Sequence, residues 1–508
     1  MNKRTLEQML LNETPVLDEQ LPSVCESAWR LFEEGGPAAS AALTLMCRAA
    51  KKAACRDAIK GLAGNHEALE KALFGESGKM RKNAARLMGA LKREADDEAL
   101  IRALKSEPQR LVRPSILLAL GALKTPRAIE ALSAYVVEPP ADETEQKHFR
   151  EESEALQSAL SNVVKLLGHA YTGLKKNYEL ELRTPAGFSA TTAKELESFG
   201  FAPYAVKEDR LRIRAGSLEK VFLARGFFEA LFPVALGVPA RPDIVGGYSG
   251  DIVRLMQDAH DGQAPYAYRI ELRGEVEDRA SFIRGAAGNI DGKLLLNAPS
   301  QYEMEVRLEL KNAVMDVFVK LFTREDTRFS YRAQSLPASI HPATAAAMLR
   351  FAGDLLKPGA RVLDPCCGSG TMLFERELLL PASALTGVDI AHRAIEISRQ
   401  NAKGIESRAR FIVNDCLRFE ANRAYDEVIS NLPFGNRVGS HGSNEKLYAG
   451  IVKKLPSWLA PGGVALLYTM EHRLLERLLK EAPELALIKK ARAEAGGLHP
   501  YLFLIHRR

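Results

Sequence analysis

The sequence predicts a multidomain chain: an all-α array first, an α+β region next, and an open α/β sheet at the C-terminal end. Three observations predict it. Residues up to about 137 are rich in Ala and Leu, carry almost no strand pattern, and repeat at steps of 31 and 32 residues. From Tyr178 to Leu321, short alternating segments are interleaved with helical ones. From Arg361 onward a strand, a glycine turn and a helix follow one another, and an acid, Asp389, stands nineteen residues after Gly370.

Composition narrows the classes. A chain of 508 residues is long enough for several domains. With 46% hydrophobic and 26% charged residues it should be globular rather than disordered. A formal net charge of +6 permits an acidic partner without demanding one. Six cysteines without paired spacing argue against a disulfide framework and against a metal site. The N-terminal residues lack the apolar core of a secretion signal, and no apolar run approaches the roughly 18 residues of a membrane span. A reduced cytoplasm and no membrane partner are the expectation.

In the first region Glu67-Ala68-Leu69, Glu98-Ala99-Leu100 and Glu130-Ala131-Leu132 recur in step, and the residues from Arg81 to Leu91 align with those from Arg113 to Leu123. Each unit reads as helix, turn, helix, near the period of helical solenoids. One such pair cannot bury its apolar face alone and so stacks on its neighbours. The pattern resembles a short HEAT-like array. Before Ala54 the residues fit equally well an irregular helical domain. Arg81, Lys82, Arg86, Arg110 and Arg113 are candidates to face RNA, a solvated helix face being the plainer reading of any one of them; a protein partner for the array is the other option.

Glu138 to Glu145 is a proline and acid stretch that reads as linker. A connecting helix follows from Phe149 to Leu167, with Leu156, Leu160, Val163, Val164 and Leu167 on one face. Tyr178 to Leu182 alternates like a strand, Ala190 to Phe199 is helical, Leu211 to Arg214 alternates again, and Ser217 to Glu229 reads as helix. A second set follows: strand Tyr266 to Arg273, helix Ala280 to Ala286, strands Lys293 to Leu296 and Tyr302 to Leu308, and apolar Val314 to Leu321. Leu236 to Gly262 fits no element.

The C-terminal region carries the chemistry. Strand Arg361 to Leu363 runs into Asp364-Pro365-Cys366-Cys367-Gly368-Ser369-Gly370-Thr371 and a helix. Glycine lets the backbone turn with positive φ and approach a ligand closely, and the helix N-terminus then offers N–H groups to an anion. Three further strands end in Asp389, near Asp415, and in Asn431-Leu432-Pro433-Phe434-Gly435. Polar residues at successive strand ends form the ligand edge of an open α/β sheet.

These residues resemble the Rossmann-like class I methyltransferases that use S-adenosylmethionine, and the tetrad Asn431–Phe434 resembles the (Asn/Asp/Ser)-Pro-Pro-(Tyr/Phe) motif of those that methylate amino groups, with Leu432 where Pro is usual. Asn431 with Gly435 after Phe434 is similar to the guanosine N2-methyltransferases of tRNA and ribosomal RNA. More loosely, the middle region resembles the ferredoxin-like and THUMP modules that precede the catalytic domain in such enzymes, on the turns Pro185-Ala186-Gly187-Phe188 and Ala298-Pro299-Ser300 and on Tyr331-Arg332. THUMP modules are associated with RNA recognition. The implied division is a helical array over 1–137, linker and connecting helix over 138–170, an RNA-binding region over 171–330 and the methyltransferase domain over 331–508.

The resemblance implies that Asp364 and the loop Gly368 to Gly370 hold the methionine end of S-adenosyl-L-methionine, Asp389 the ribose hydroxyls and Asp415 the adenine amine. Cys366, Thr371, Ile390, Cys416 and Asn431 complete the implied cofactor set. In the lead-in Arg332 to Pro342, Ser339 and His341 would lie beside the methionine end, and a plain domain junction fits them nearly as well. An exocyclic base amine is a poor nucleophile, its lone pair delocalised into the ring. Asn431 and the carbonyl of Leu432 would accept its two N–H bonds, Pro433 would stiffen the loop, and Phe434 would stack the base. Asn436, Arg437 and His441 follow on a loop near any substrate phosphate. The implied activity is N2-methylation of a guanosine in RNA, tRNA ahead of ribosomal RNA. DNA adenine or protein glutamine methylation shares the tetrad but not the modules in front. A non-catalytic cofactor-binding scaffold is the rival from another class, and the joint presence of acid, glycines and tetrad speaks against it.

Overall fold

The structure, a computed structural model, describes all residues except 1, 63, 65, 66, 139–144, 291, 300, 435–440, 495 and 496. The chain forms two compact units that alternate along the sequence: 1–172 with 234–323, and 173–233 with 324–508.

The first unit begins with helices α1 (Lys3–Leu11), α2 (Leu21–Glu33), α3 (Ala39–Ala49), α4 (Ala53–Leu62), α5 (Glu67–Leu73), α6 (Gly78–Leu91), α7 (Asp97–Ser106), α8 (Arg113–Leu123), α9 (Pro126–Ala134) and α10 (Gln146–Leu167). The repeated Glu-Ala-Leu triplets fall in α5, α7 and α9, and the longer repeat in α6 and α8. Small residues let these helices approach closely: a Cβ on Gly89 would lie 2.8 Å from Ala119 Cα, and one on Gly121 2.6 Å from Ala159 Cα. Of the basic residues proposed to face RNA, three are engaged within the array. Arg81 is buried, pairs with Glu107 through two bonds of 2.8 Å, and donates to the carbonyls of Gly75 and Glu76. Arg110 and Arg113 both face the buried Glu152, at 3.3 and 3.6 Å. Sequence spacing cannot reveal such long-range pairing. Lys82 is half-buried and Arg86 exposed. On α10, Leu156 and Leu160 pack into the array core, while the side chains of Val163, Val164 and Leu167 lie outside the described residues.

The chain then contributes β1 (Tyr178–Arg183), α11 (Ser189–Ser198), β2 (Arg210–Ala215) and α12 (Leu218–Val221) to the second unit and starts β3 (Glu229–Pro239) there. The helix expected from Ser217 to Glu229 stops at Val221. Its continuation is blocked because the Glu195 carboxylate takes the backbone N–H groups of Arg225 and Gly226, at 2.7 and 2.9 Å, away from helical carbonyls. β1 pairs antiparallel with β2 and β3. From Val234 the chain is again in the first unit, with α13 (Ser249–Ala259), β4 (Tyr266–Arg273), α14 (Arg279–Asn289), β5 (Leu295–Asn297), β6 (Met304–Lys311) and β7 (Val314–Leu321). Here β4 pairs parallel with β5 and β6, and β6 antiparallel with β7, a mixed sheet. The stretch from Leu236 to Gly262, unassigned from sequence, holds the end of β3, a 3-10 turn at Pro242–Tyr248 and α13. Ala267, Leu296 and Ala298 belong to the same core as the helical array.

The rest of the second unit is α15 (Pro342–Ala352), β8 (Ala360–Asp364), α16 (Thr371–Leu379), β9 (Ala382–Asp389), α17 (His392–Lys403), β10 (Arg410–Val413), β11 (Tyr425–Asn431), α18 (His441–Trp458), β12 (Leu459–Thr469), α19 (His472–Lys480), β13 (Leu485–Arg492) and β14 (Tyr501–Arg507). The sheet order is β10-β9-β8-β11-β12-β14-β13, parallel from β10 to β12, with β14 antiparallel to both neighbours. Both faces are buried, because successive residues point to opposite sides: Val362, Ile429, Leu466 and Leu504 join one core, and Leu363, Val428, Leu467 and Phe503 the other. Chain order reverses between β8 and β11, which opens a crevice at their C-terminal ends. Among the described residues no helix is long and apolar enough to cross a membrane.

A buried ion pair fixes that crevice. Arg376 of α16 donates to Glu427 of β11 at 2.6 and 2.8 Å and to the carbonyls of Leu380 and Lys357, while Glu427 also accepts the Lys357 N–H at 3.0 Å. Arg376→Ala would leave a buried carboxylate uncompensated and is expected to cost about 3–5 kcal/mol of stability, read from the urea midpoint.

Candidate functional site

Asp364 ends β8 with its side chain buried, 1% exposed. Its Oδ1 accepts the Ser430 hydroxyl at 2.7 Å and the Cys366 N–H at 3.1 Å. Burial nevertheless outweighs these bonds and, with the nearby Asp389 charge, pushes the carboxyl up to about 7. Gly370 caps α16 at φ 83°, where a Cβ would meet the Phe374 ring at 2.6 Å, so no other residue fits. Gly368, at φ 52°, has nothing within 4 Å of a built Cβ: the loop is open on that side.

Asp389, at the tip of β9, accepts the Gly368 N–H through Oδ2 and the Ala391 N–H through Oδ1, both at 2.9 Å. It thus ties the glycine turn to the second strand while each oxygen keeps a lone pair. Ile390 beside it is 72% exposed, an unusual position for a large apolar side chain. Asp415 Oδ1 accepts the Leu417 N–H at 2.9 Å. The thiols of Cys366 and Cys416 hydrogen-bond to each other, and that bond together with burial pushes the Cys366 thiol up, so it stays neutral. Thr371 is buried with its hydroxyl 3.2 Å from that of Ser369, which also meets Ser339 at 2.9 Å.

At the end of β11, Asn431 donates from Nδ2 to the Ala338 carbonyl at 3.4 Å. Its Oδ1 is sealed from solvent and has no partner among the described residues. Leu432 is buried, its N–H on the Tyr468 carbonyl at 2.9 Å. The Pro433 carbonyl accepts the Tyr448 hydroxyl at 2.9 Å, and Tyr448 is in turn 2.6 Å from Thr469 Oγ1. The Phe434 ring lies 5.8 Å from that of Tyr468, tilted by 60°.

The crevice therefore brings together two hydrogen-bonded sets, Asp364 with Cys366 and Cys416, and Gly368 with Asp389, joined through the backbone of the glycine turn, with Asn431 next to Asp364 through Ser430. Ile390 and Asp415 stand at the outer end and make no hydrogen bond to the others among the described residues. Asn436 and Arg437 lie outside the described residues, and His441 is the first residue of α18, its side chain not described. Sequence reasoning missed three positioning residues. Ser430 was signalled by a hydroxyl inside an apolar strand. Asn401 of α17, which bonds Gln334 on both its N–H and carbonyl sides and reaches the Ser369 carbonyl at 3.2 Å, clamps the lead-in to the glycine turn and has no local signature. Tyr448 has none either.

Residues 330–500 match the RMKL-like methyltransferase domain, and residues 66–147 match HEAT repeats. A tRNA (guanine(6)-N2)-methyltransferase of Thermus thermophilus is 31% identical over 210 residues, which span 40% of this chain and 60% of that protein. One of Archaeoglobus fulgidus is 25% identical over 342 residues, 58% of this chain and 84% of its own length. The crystal structure of TrmN from Thermus thermophilus has a similar fold, with a TM-score of 0.52 at 24% identity over 65% of this chain and 99% of that one.

The raised Asp364 pKa sets a pH dependence. Between 3.8, its ordinary value, and about 7 the folded chain holds a proton that the unfolded chain has lost, so stability falls as pH rises through that window and is flat above it. Asp364→Asn keeps both acceptor contacts and cannot ionise. It is expected to match the wild type at the acid end and to exceed it in unfolding free energy above neutrality, measured by denaturant titration across the window.

Proposed function

This chain carries an RMKL-like methyltransferase domain, related to the tRNA guanine-N2 methyltransferases and preceded by HEAT repeats, and on that premise we propose that it transfers a methyl group from S-adenosylmethionine to the exocyclic N2 of a guanosine in tRNA. One observation carries the reading: the Asn431 Oδ1, buried without a partner at the strand end beside Phe434. An unsatisfied buried acceptor costs about 1–3 kcal/mol, a cost removed when a substrate N–H fills it.

The cofactor fits the residues present. The open side of Gly368 leaves room for its methionine end, the spare lone pairs of Asp389 suit two ribose hydroxyls, and exposed Ile390 offers an apolar face for its adenine. When bound, it supplies an electrophilic methyl group on a sulfonium. The chain's own part is orientation. Guanosine in a duplex hides its amine, so it must be unpaired or turned out of the stack. Asn431 Oδ1 then accepts one N–H of the amine and the Leu432 carbonyl the other, which holds the nitrogen lone pair toward the methyl donor. Tyr448 fixes the Pro433 carbonyl, so the loop does not rearrange during transfer. Phe434 stacks the base, worth about 1–3 kcal/mol. Asn431 is not a base; the N2 proton leaves to water, and the rate gain is one of positioning.

Asn431→Ala is expected to lower turnover a hundredfold or more, about 3 kcal/mol of transition-state stabilisation, with cofactor and tRNA affinity unchanged. Mass spectrometry of digested tRNA should find N2-methylguanosine. Full activity of the variant refutes the mechanism, and N6-methyladenosine as product overturns the substrate. Asp389→Ala should weaken S-adenosylmethionine binding at least about tenfold by calorimetry, from the loss of charge-assisted bonds of about 1.5–3 kcal/mol.

A further inference from the structure

Three arginines gather where the lead-in segment reaches α15. Arg225 is paired with Glu375 at 2.7 and 2.8 Å and lies 4.9 Å over the Phe329 ring. Arg328 is paired with Asp326, donates to the Ala224 carbonyl at 2.9 Å, and stacks over Phe227 at 3.7 Å. Arg332 differs. It is half-buried, its Nε is sealed from solvent, and among the described residues its guanidinium makes no hydrogen bond and no ion pair. Its placement is fixed all the same: its own N–H bonds the Phe329 carbonyl at 3.0 Å, and the neighbouring Tyr331 hydroxyl bonds Glu375 at 2.7 Å. Burying an uncompensated cation is costly, and a packed core gains nothing from it.

His341 stands beside this group: its ring lies 5.7 Å from that of Phe329, which Arg328 covers at 5.0 Å and whose carbonyl holds the Arg332 N–H, so the charges of Arg332 and Arg328 act on it. Its Nδ1 accepts the Ala343 N–H at 3.1 Å, which caps α15. The desolvated ring is pushed down to about 4, so it is neutral, and with Nδ1 accepting, its proton is on Nε2. The residue is partly open to solvent, and that N–H has no acceptor among the described residues. The ring meets Phe228 edge-on at 4.8 Å, and Phe228 is 38% exposed although its N–H anchors it to the Arg183 carbonyl at 2.6 Å. The chain between Arg332 and His341 carries Ala338, whose carbonyl holds the Asn431 amide. The substrate-orienting group and this cluster thus share one segment.

We propose that Arg332, the Nε2–H of His341 and the face of Phe228 form a subsite for one unpaired RNA nucleotide adjoining the target, the two donors holding its phosphate and Phe228 stacking its base. The inference rests on the RNA substrate proposed above and adds to it a specific grip on a neighbour of the modified guanosine. A phosphate supplies the anion that Arg332 lacks. A neutral imidazole adds a donor without adding a fourth cation to the corner. An exposed, anchored ring suits any base, because every base has a flat face. With the target in the crevice and its neighbour here, the strand would be held at the reacting base and at one nucleotide beside it.

The full chain is tested with unmodified bulk tRNA over a range of salt concentrations, alongside S-adenosylmethionine binding by calorimetry and thermal unfolding. Arg332→Gln should weaken tRNA binding about tenfold and make the log–log salt dependence shallower by about one, the mark of one lost phosphate contact. Phe228→Ala should weaken binding to a similar degree with the salt slope unchanged, since stacking releases no counterion. His341→Asn, whose amide oxygen still caps α15, should lose about threefold. In Arg332→Gln the melting temperature should not fall, and cofactor affinity should be unaltered. Unchanged tRNA affinity and slope in Arg332→Gln, while the wild type binds, overturn the subsite and leave the RNA reading standing. A lowered melting temperature or weakened cofactor binding in that variant also overturns it, by giving Arg332 a structural or cofactor role. A wild-type chain without affinity for tRNA overturns the RNA reading, and the subsite with it.

Discussion

The Arg376–Glu427 pair is the interaction on which the crevice depends. It joins the helix that follows the glycine turn to the strand that ends in Asn431, and it takes in both the N–H and the carbonyl of Lys357 on the approach to β8. Every arm is occupied, which is what makes a buried pair tolerable: the attraction and the added hydrogen bonds together offset desolvation. A hydrophobic pair of the same volume would pack, but it would not fix the spacing of two strand ends. On the function proposed above, that spacing sets where the methyl donor would lie relative to the amine.

The two sides of the crevice differ in how they treat polar groups. On the glycine-turn side Asp364 takes the Cys366 N–H and the Ser430 hydroxyl and Asp389 takes the Gly368 N–H, so the scaffold is held by its own bonds. On the tetrad side and along the lead-in, Asn431 Oδ1, the Tyr468 hydroxyl and Arg332 Nε are buried with no partner among the described residues. Native proteins leave few such groups.

What could be read from the sequence follows the range of the forces involved. The array repeat and the strand–turn–helix at Asp364 are local patterns, and both fold as read. The false helix after Ser217 fails because of Glu195, thirty residues upstream, whose carboxylate captures two N–H groups. Arg81, Arg110 and Arg113 look like free cations in sequence and are bound to Glu107 and Glu152 in space. The segment after Leu236 is opaque because a strand end, a 3-10 turn and a helix follow one another with no linker to separate their patterns. At the candidate site, the sequence put the strand-end acids, glycines and tetrad at one sheet edge, where they lie; Ser430 was signalled only by its hydroxyl in an apolar strand, and Asn401 and Tyr448 act through contacts that no spacing encodes.

β3 begins in one unit and its residues from Val234 belong to the other. For a chain emerging from the ribosome this dictates an order of assembly. The helical array, built on near-neighbour contacts, can form early, but its unit is unfinished until β7 has been made. The segment from 173 to 233 must wait still longer, for Glu375 and the strands beyond it, with Arg225 meanwhile lacking its counter-charge. The last unit to close is therefore the one that contains Arg225, made 150 residues before its partner Glu375. Nascent chains stalled between these points would expose unpaired strand edges, and the methyltransferase unit cannot be cut out as one continuous piece of sequence without losing part of itself.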